Sequence, residues 1–261
     1  MTVPMTSLTQ APDGTTLAYQ SQGAGPVLLL LAGQANNHHW WDDIRDDFAG
    51  QRRTITVDYR GTGDSGKPES HYSTELFADD VIAVLDHAGT ERADIYGTSM
   101  GGRVAQMIAS RHPDRVRHLI LGCTSPGGPH SIERDNTVRR ALANSDRAAA
   151  TEALLGMMYS PEWLSTHPGP YTVLGDQSMP PHAQRGHLIA SNRHNAWDLL
   201  PLITAPTLIL HGADDVLNPV ANAPLLAKRI PDATMTILPG ARHAYFQEMR
   251  ESASSIVLDF L

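Results

Sequence analysis

Tyr96-Gly97-Thr98-Ser99-Met100-Gly101-Gly102 is the stretch of the 261-residue sequence that decides the fold. Residues 92–96, just before it, have the composition of a short buried strand, and residues 103–110, just after it, have the pattern of a helix. Between the two, the motif G-x-S-x-G predicts a strand-to-helix turn so sharp that its serine adopts a strained backbone conformation. A side chain at Gly97 or Gly101 would collide with neighbouring backbone. The turn places the Ser99 hydroxyl above the N-terminal end of the helix, where developing negative charge is stabilised.

Short apolar runs alternate with helical patterns on both sides of this turn. The alternation predicts an α/β protein with a mainly parallel sheet that is covered by helices on both faces. The predicted strands are a hairpin over residues 5–21 and the runs 27–31, 54–57, 92–96, 116–121, 207–210 and 234–238. The predicted helices are one through Trp40, Ile44 and Phe48, and others over residues 73–89, 103–110, 220–230 and 246–261.

The alternation stops between Pro126 and Thr204. A structureless connection of that length is improbable within a compact domain. The segment instead carries helical patterns over residues 132–144, 147–158 and 183–200, which are separated by prolines. We therefore expect a helical lid inserted between two sheet strands. This divides the chain into a core domain, residues 1–125 and 205–261, and a lid, residues 126–204.

The candidate functional residues are those that follow each strand, because ligands of such sheets bind at the carboxyl ends of the strands. A serine hydroxyl is a weak nucleophile and needs a histidine base, whose other ring nitrogen is held by a carboxylate. Two loops supply both groups. Residues 211–219 follow one strand and contain Asp214 and Asp215, and residues 239–243 follow the next strand and end in His243.

Both loops and the serine turn resemble those of the α/β-hydrolase superfamily, and the resemblance extends over nearly the whole chain. The acid loop of that superfamily, G-x-x-D-x-x-x-P, is matched by Gly212, Asp215 and Pro219, and its histidine loop, G-x-x-H, by Gly240 and His243. The resemblance implies an α/β-hydrolase fold and a catalytic triad of Ser99, Asp215 and His243 in that chain order. Asp214 is the alternative acid. The segment D-x-R-G-x-G-x-S at residues 58–65 also matches the superfamily, where it is structural.

The same resemblance implies an oxyanion hole made of two backbone N–H groups. One belongs to Met100, at the start of the helix, and the other to the loop after the strand at 27–31. Superfamily members commonly carry His-Gly before the second donor, whereas this chain has Ala32-Gly33, which makes Gln34 the donor. The difference removes a histidine side chain that helps to position the loop.

Gly61, Gly63 and Gly66 form a G-x-G-x-x-G pattern straight after a strand, as dinucleotide-binding loops do. That function requires a helix that opens within the motif, so that the pyrophosphate rests on its N-terminus. Here the next helical pattern starts only near residue 73, so we expect a tight loop and no cofactor. The lid histidines lack metal-ligand spacing, so no metal is expected either, and Cys123, at a strand end, is predicted to be a packed thiol.

The substrate pocket is predicted at the same edge of the sheet. Asn36 and His38 lie in the loop after the strand at 27–31, and Met157 and Trp163 lie in the lid above it. For His38, the alternative is a packed or solvated loop side chain. For the lid residues, the alternative is that they form the lid's own core, a group that also includes Met158, Tyr159 and Tyr171.

Composition argues against several other classes of protein. A net charge of −8 disfavours a nucleic-acid partner, because phosphate binding needs a basic surface. No apolar run approaches the roughly 20 residues of a membrane span. Residues 1–10 lack the basic start and apolar core of a signal peptide, so the cytoplasm is the expected compartment. A single cysteine excludes an internal disulfide.

These features together predict an enzyme, a serine hydrolase that cleaves a small ester or lactone through an acyl-enzyme. The serine turn and the length of the lid resemble enol-lactonases, methylesterases and haloperoxidase-like perhydrolases. The same triad would serve a C–C bond hydrolase, an elimination lyase or a perhydrolase, and the non-enzymatic alternative is a ligand receptor on the same frame. The expected partner is a small molecule, and the oligomeric state is left open.

Overall fold

Residues 4–261 are described by a computed structural model of the chain. The strands of this part of the chain form one eight-stranded sheet in the order β1-β2-β4-β3-β5-β6-β7-β8. They are β1 (Thr6–Gln10), β2 (Thr16–Gln22), β3 (Val27–Leu31), β4 (Arg53–Asp58), β5 (Ala93–Thr98), β6 (Val116–Gly122), β7 (Thr207–Gly212) and β8 (Ala233–Leu238). β1 and β2 form the predicted antiparallel hairpin, β2 also runs antiparallel to β4, and all other neighbouring strands are parallel. The mainly parallel sheet is as predicted.

Helices cover both faces of this sheet. Every residue of β3 and β5 is buried, and since successive side chains of a strand point to opposite faces, neither face is open to water. Helix α2 packs beside α3, and α1 packs beside α10. Within residues 4–261, no helix is both long and apolar enough to cross a bilayer. The helices are α1 (Arg45–Ala49), α2 (Thr74–His87), α3 (Met100–Arg111), α4 (Asn136–Leu142), α5 (Arg147–Met158), α6 (Pro161–Thr166), α7 (Pro181–Arg193), α8 (Asn222–Arg229), α9 (Tyr245–Glu248) and α10 (Arg250–Phe260).

Four helical segments differ from the sequence prediction, and one of them is the predicted helix over 183–200, which in the structure ends at Arg193. The pattern through Trp40 and Phe48 forms a 3₁₀ turn (His38–Trp41) followed by the short α1, rather than one helix. Helix α6 is not predicted, because Pro161 indicates a break. In the structure Pro161 occupies the first helical turn after a Ser160 cap, where a missing backbone N–H costs nothing. The predicted closing helix, 246–261, is interrupted at Met249, between α9 and α10.

Helices α4 to α7 all lie between β6 and β7, as expected for a helical lid inserted between two sheet strands. The two ends of this insertion are joined by backbone hydrogen bonds. The Gly128 N–H donates to the His194 carbonyl oxygen at 2.9 Å, and the Ala196 N–H donates to the Pro126 carbonyl oxygen at 2.8 Å. The insertion is called the lid below, and the division of the chain at residues 126 and 204 stays a prediction.

Candidate active site

Ser99 lies at the turn between β5, a central strand, and α3. Its backbone has a φ of 56° and a ψ of −120°, which residues other than glycine rarely adopt. Its N–H donates to the Gly122 carbonyl oxygen at 2.9 Å. A Cβ at Gly97 would collide with the carbonyl oxygen of Gly101, and a Cβ at Gly101 would collide with that of Leu31. The geometry confirms the strained turn and the need for both glycines.

His243 and Asp215 form a buried, hydrogen-bonded pair. Nδ1 of His243 lies 2.7 Å from Oδ2 of Asp215, and the two side chains are 4% and 0% exposed. An ionised carboxylate can only accept, so this contact places the histidine proton on Nδ1 and leaves Nε2 free to act as a base. The other carboxylate oxygen, Oδ1, accepts the N–H groups of Leu217 at 2.8 Å and Asn218 at 3.0 Å.

The environment of Asp215 keeps it ionised. Burial opposes ionisation, but the charge of His243 and the hydrogen bonds from His211 and His243 outweigh it and hold the pKa of the carboxyl below its ordinary value. Asp214, the alternative acid, is exposed. The structure therefore brings Asp215 to the histidine and leaves Asp214 at the surface.

His211, at the carboxyl end of β7, is a further neighbour of this carboxylate. Its Nε2 lies 3.3 Å from Oδ2 of Asp215 and 2.8 Å from the carbonyl oxygen of Asn218. Because a carbonyl oxygen only accepts, Nε2 of His211 carries the proton. The sequence prediction missed this contact, although the position of His211 at a strand end, four residues before Asp215, was a signal that could have found it.

A cavity of about 390 Å³ opens at the carboxyl edge of the sheet, and Ser99 and His243 both line it. Gln34 and Asn36, from the loop after β3, line the same cavity. Lid side chains that form its apolar wall are Leu142, Leu154, Met158, Val173, Leu174 and Leu188. Residues that are far apart in the sequence thus share one chamber between the sheet and the lid.

Two backbone N–H groups near Ser99, those of Gln34 and Met100, donate to no other protein group among residues 4–261. Gln34 lines the cavity, and Met100 directly follows Ser99 at the N-terminal end of α3. An oxyanion hole requires donors that are free in this way, and the assignment of Gln34 and Met100 to it stays a prediction.

The lid holds the loop that contains Gln34. The Asp176 N–H donates to the Ala35 carbonyl oxygen at 2.7 Å, and the Gly175 N–H donates to Oδ1 of Asn36 at 3.0 Å. The Ala35 N–H in turn donates to Nδ1 of His187 at 3.3 Å. These contacts position a loop that lacks the superfamily's usual histidine.

Comparison with known proteins agrees with this geometry. A family model described as the alpha/beta hydrolase fold matches residues 26–248. The chain belongs to the alpha/beta hydrolase family. A protein named "Putative carbamate hydrolase RutD", from Caulobacter sp. strain K31, is 30% identical over 258 residues, which cover 93% of this chain and 95% of that protein. 2-Hydroxymuconate semialdehyde hydrolase of Pseudomonas sp. strain CF600 is 28% identical over 255 residues, which cover 92% of this chain and 88% of that protein.

A solved structure is similar over the same length. It is described as "Est816 as an N-Acyl homoserine lactone degrading enzyme" and superposes with a TM-score of 0.85 at 28% identity, covering 98% of this chain and all of that one. Relatives named as hydrolases match nearly the full length of the chain. The protein is therefore an alpha/beta-hydrolase-fold hydrolase, and the alternative of a non-catalytic receptor is set aside.

In this alpha/beta hydrolase, the glycine-rich loop after β4 is held by hydrogen bonds within residues 58–67 and by further bonds to Thr16 and Asp176. Oδ2 of Asp58 accepts the Asp64 N–H at 2.9 Å, the Ser65 hydroxyl donates to the Asp58 carbonyl oxygen at 2.6 Å, and Nζ of Lys67 donates to the Gly63 carbonyl oxygen at 2.6 Å. The next helix, α2, begins only at Thr74. No helix N-terminus within the loop is thus available to a pyrophosphate.

Of the four predicted pocket residues, the structure brings Asn36 to the cavity and places the other three elsewhere. His38 is buried against β4, where its N–H and its Nδ1 both lie 2.8 Å from Oδ1 of Asp58. Burial opposes protonation of this ring, but the hydrogen bond and the charge of Asp58 raise its pKa. His38 is the packed side chain of the alternative interpretation, because the carboxylate at the end of β4 holds it away from the cavity.

The two predicted lid residues, Met157 and Trp163, do not line the cavity, the first because of helix geometry and the second because of aromatic packing. Successive residues of a helix point about 100° apart, and it is Met158, not Met157, that lines the cavity. Met157 instead uses its carbonyl oxygen to accept the His243 N–H at 3.4 Å. Trp163 is stacked between Tyr159 and His167, with ring centroids 4.1 Å from each, and lines a second cavity.

Cys123, which follows β6, is fully buried, as predicted for a packed thiol. Its Sγ, an oxygen of Asp215 and a nitrogen of His243 lie within 4.8 Å of one another, a spacing that a metal ion could use. Burial and the charge of Asp215, however, raise the pKa of the thiol well above its ordinary value, whereas metal ligation needs the thiolate. The three residues fit a hydrogen-bonded pair with a packed neighbour better than a metal site.

His187, on α7, is expected to make the stability of the protein depend on pH. Its Nε2 donates to the Arg60 carbonyl oxygen at 2.9 Å, so Nδ1 is unprotonated and accepts from Ala35. Burial lowers the pKa of His187 from 6.5 to about 4. Below pH 6.5 the unfolded histidine takes up a proton that the folded ring does not. The free energy of unfolding is therefore expected to fall as the pH drops from 6.5 towards 4, by up to roughly 3 kcal/mol from this residue.

Urea unfolding of the wild type and of His187→Gln, between about pH 7 and pH 4, measures this effect. Glutamine can donate to Arg60 and accept from Ala35 but does not titrate. Other buried histidines, such as His194, contribute equally to both proteins, so their contribution cancels in the difference between the two unfolding free energies. A difference that stays constant across this pH range would contradict the prediction.

Proposed function

We propose that the chain is a serine hydrolase that cleaves a small ester or lactone through an acyl-enzyme. The observation that carries the proposal is that Ser99, on its strained turn, lines the same cavity as His243, whose Nδ1 is held by the buried carboxylate of Asp215. This combination of nucleophile, base and orienting acid is what activation of a serine hydroxyl requires.

In the proposed reaction, Nε2 of His243 takes the hydroxyl proton of Ser99 while Oγ attacks the carbonyl carbon of the substrate. The N–H groups of Gln34 and Met100 stabilise the resulting oxyanion. As the tetrahedral intermediate collapses, His243 gives the proton to the departing alcohol oxygen. A water molecule, deprotonated by His243, then attacks the acyl-enzyme. As this second intermediate collapses, His243 returns the proton to Oγ of Ser99 and the acid is released. With a lactone, the alcohol and the acid remain in one product.

A compact substrate is supported by the size of the cavity and by its cover. About 390 Å³ is near the lower end of the range for ligand cavities. Lid side chains such as Leu154, Met158 and Leu188 form an apolar wall opposite the serine turn. The likeness to Est816, described as degrading N-acyl homoserine lactones, supports a lactone as one substrate class.

A series of p-nitrophenyl esters tests the proposed function. We expect kcat/KM to be highest for acetate or butyrate and to fall by about tenfold or more for octanoate, because the longer acyl chain does not fit the cavity. A tenfold fall corresponds to a loss of about 1.4 kcal/mol of transition-state binding. The measurement is kcat/KM against acyl length at pH 8, where an ordinary histidine is neutral. A maximum at octanoate would refute the compact substrate.

The second candidate is a C–C bond hydrolase, with an elimination lyase or a perhydrolase as further uses of the same residues. It is favoured by the relative named 2-hydroxymuconate semialdehyde hydrolase, since that name specifies a substrate that is not described as an ester or lactone. Covalent labelling of Ser99 by a fluorophosphonate, without turnover of any ester or lactone, would favour this group of reactions over ester hydrolysis.

A further inference from the structure

The charged residues that line the cavity are positive, whereas the net charge of the chain as a whole is negative. The chain has 28 aspartates and glutamates against 20 lysines and arginines. The lining of the cavity that holds Ser99 and His243 nevertheless includes two arginines, Arg103 and Arg134, and, among the described residues, no aspartate or glutamate. An acidic protein thus presents a positively charged wall to its substrate.

Arg103, on the first turn of α3, is buried without a carboxylate partner among residues 4–261. Its side chain donates to the carbonyl and hydroxyl oxygens of Ser191 at 2.6 and 2.9 Å, to the Ser125 hydroxyl at 3.0 Å and to Oδ1 of Asn218 at 3.2 Å. All these acceptors are neutral, and Nε is buried with no hydrogen-bond partner among residues 4–261. Burial lowers the pKa of Arg103 to about 10, so the group is still charged at neutral pH.

Arg134, in the segment before α4, adds a second charge to this wall. Its guanidinium makes no hydrogen bond or ion pair within the part of the chain that the structure describes. The neighbouring acids have other partners: Glu133 pairs with Arg139 at 2.7 Å, and Asp215 pairs with His243. Burial lowers the pKa of Arg134, and its charge contributes to lowering that of Arg103.

Neither guanidinium is hydrogen-bonded to a carboxylate within residues 4–261, although the charge of Glu133 acts on both from further away. A buried charge such as that of Arg103 is unfavourable for the folded protein alone when it lacks such a partner, because buried charges are normally paired. A bound anion would remove this cost. A guanidinium forms two parallel hydrogen bonds with a carboxylate, and such bonds strengthen where water is excluded. The fixed hydrogen bonds of Arg103 make it a rigid source of charge, whereas the unpaired guanidinium of Arg134 can contact the ligand directly.

We propose that the substrate is an ester or lactone that carries a carboxylate, which Arg134 binds in the field of Arg103. This inference rests on the proposed function and names its substrate class. The net charge of −8 repels an anionic substrate at a distance, whereas the two arginines attract it once it is inside the cavity.

Two pairs of esters matched in length test the proposal. In the first pair, p-nitrophenyl hydrogen glutarate carries a carboxylate on the acyl side and p-nitrophenyl pentanoate does not. In the second, 4-acetoxybutanoate carries one on the alcohol side and butyl acetate does not. We expect kcat/KM to favour the anionic member of at least one pair, and Arg134→Gln to lower that preference by about ten- to a hundredfold, as expected for loss of a charged hydrogen bond. Arg134→Lys should lower it less.

Arg140→Gln is the matched control, since it removes one positive charge from α4 at an exposed position outside the cavity lining. It should leave the preference unchanged. An equal loss in the two variants would show a general charge effect and overturn the proposal, as would the absence of a preference in both pairs while the neutral esters are hydrolysed. The latter result leaves the proposed ester hydrolysis intact.

A binding measurement separates failure of the proposed function from failure of this inference. If no ester is turned over, calorimetric titration with glutarate and with its neutral diamide still reports on the arginines. Glutarate should bind the wild type at least about tenfold more tightly than it binds Arg134→Gln, and the diamide should not distinguish them. Equal binding of glutarate to both proteins would overturn the anion site.

Discussion

Replacement of Ser99 by alanine is expected to lower kcat for p-nitrophenyl acetate by at least about 10⁴, since removal of the nucleophile in enzymes of this kind leaves only the oxyanion hole and substrate binding. The fold should persist. Alanine has the same Cβ as serine, so the backbone at a φ of 56° is strained no further. Among residues 4–261 the Ser99 hydroxyl makes no hydrogen bond, so its removal leaves no partner unsatisfied. The measurements are kcat, labelling by a fluorophosphonate probe, and circular dichroism.

The control for this result is Ser165→Ala, which removes an exposed serine hydroxyl from α6, outside the cavity. It should keep both turnover and labelling at the wild-type level. The wild type should be labelled once per chain and Ser99→Ala not at all. Labelling that survives the Ser99 substitution would mean that another residue is the nucleophile.

The fold could be predicted because its signals are local. The apolar run of β3 is buried at every position. A run of this kind predicts a strand covered on both faces without information from the rest of the chain. The strained conformation of Ser99 follows from a motif only five residues long, in which the two glycines are required by the backbone atoms they approach.

The positions of the lid residues could not be predicted in the same way. Whether Met157 or Met158 faces the cavity depends on the rotation of α5 about its axis, which tertiary contacts set. The stack of Trp163 on Tyr159 and His167 likewise depends on α6, whose start at Pro161 resembles a break. Local sequence predicts that a helix forms better than it predicts where the helix ends or which of its faces is buried.

The contacts that position the loop of Gln34 and the two arginines join segments that are distant in sequence. His187 reaches Ala35 across 152 residues, and Arg103 reaches Asn218 across 115. Nothing in either segment alone marks these partners. Within residues 4–261, no carboxylate is hydrogen-bonded to Arg103. This is a property of the folded chain, since acids are abundant in the sequence as a whole.

The choice between adjacent aspartates leads to the second large effect. Asp215→Asn is expected to lower kcat by up to about 10⁴ while the fold is kept. The asparagine Oδ1 can still accept the N–H groups of Leu217 and Asn218. Its NH₂ group, however, would face Nδ1 of His243 as a donor, which stabilises the tautomer with the proton on Nε2. That tautomer cannot accept the proton of Ser99.

Asp214→Asn is the matched variant, because it makes the same chemical change one residue away at an exposed position. Its effect on kcat should be tenfold or less, on the order of 1.4 kcal/mol, since its side chain makes no hydrogen bond to the histidine loop among the described residues. Steady-state kinetics of the two variants with one ester, alongside urea unfolding to compare their stabilities, give the ranking. If Asp214→Asn were the more damaging change at equal stability, the carboxylate that orients His243 during turnover would be Asp214, and the 2.7 Å contact of Asp215 would be structural.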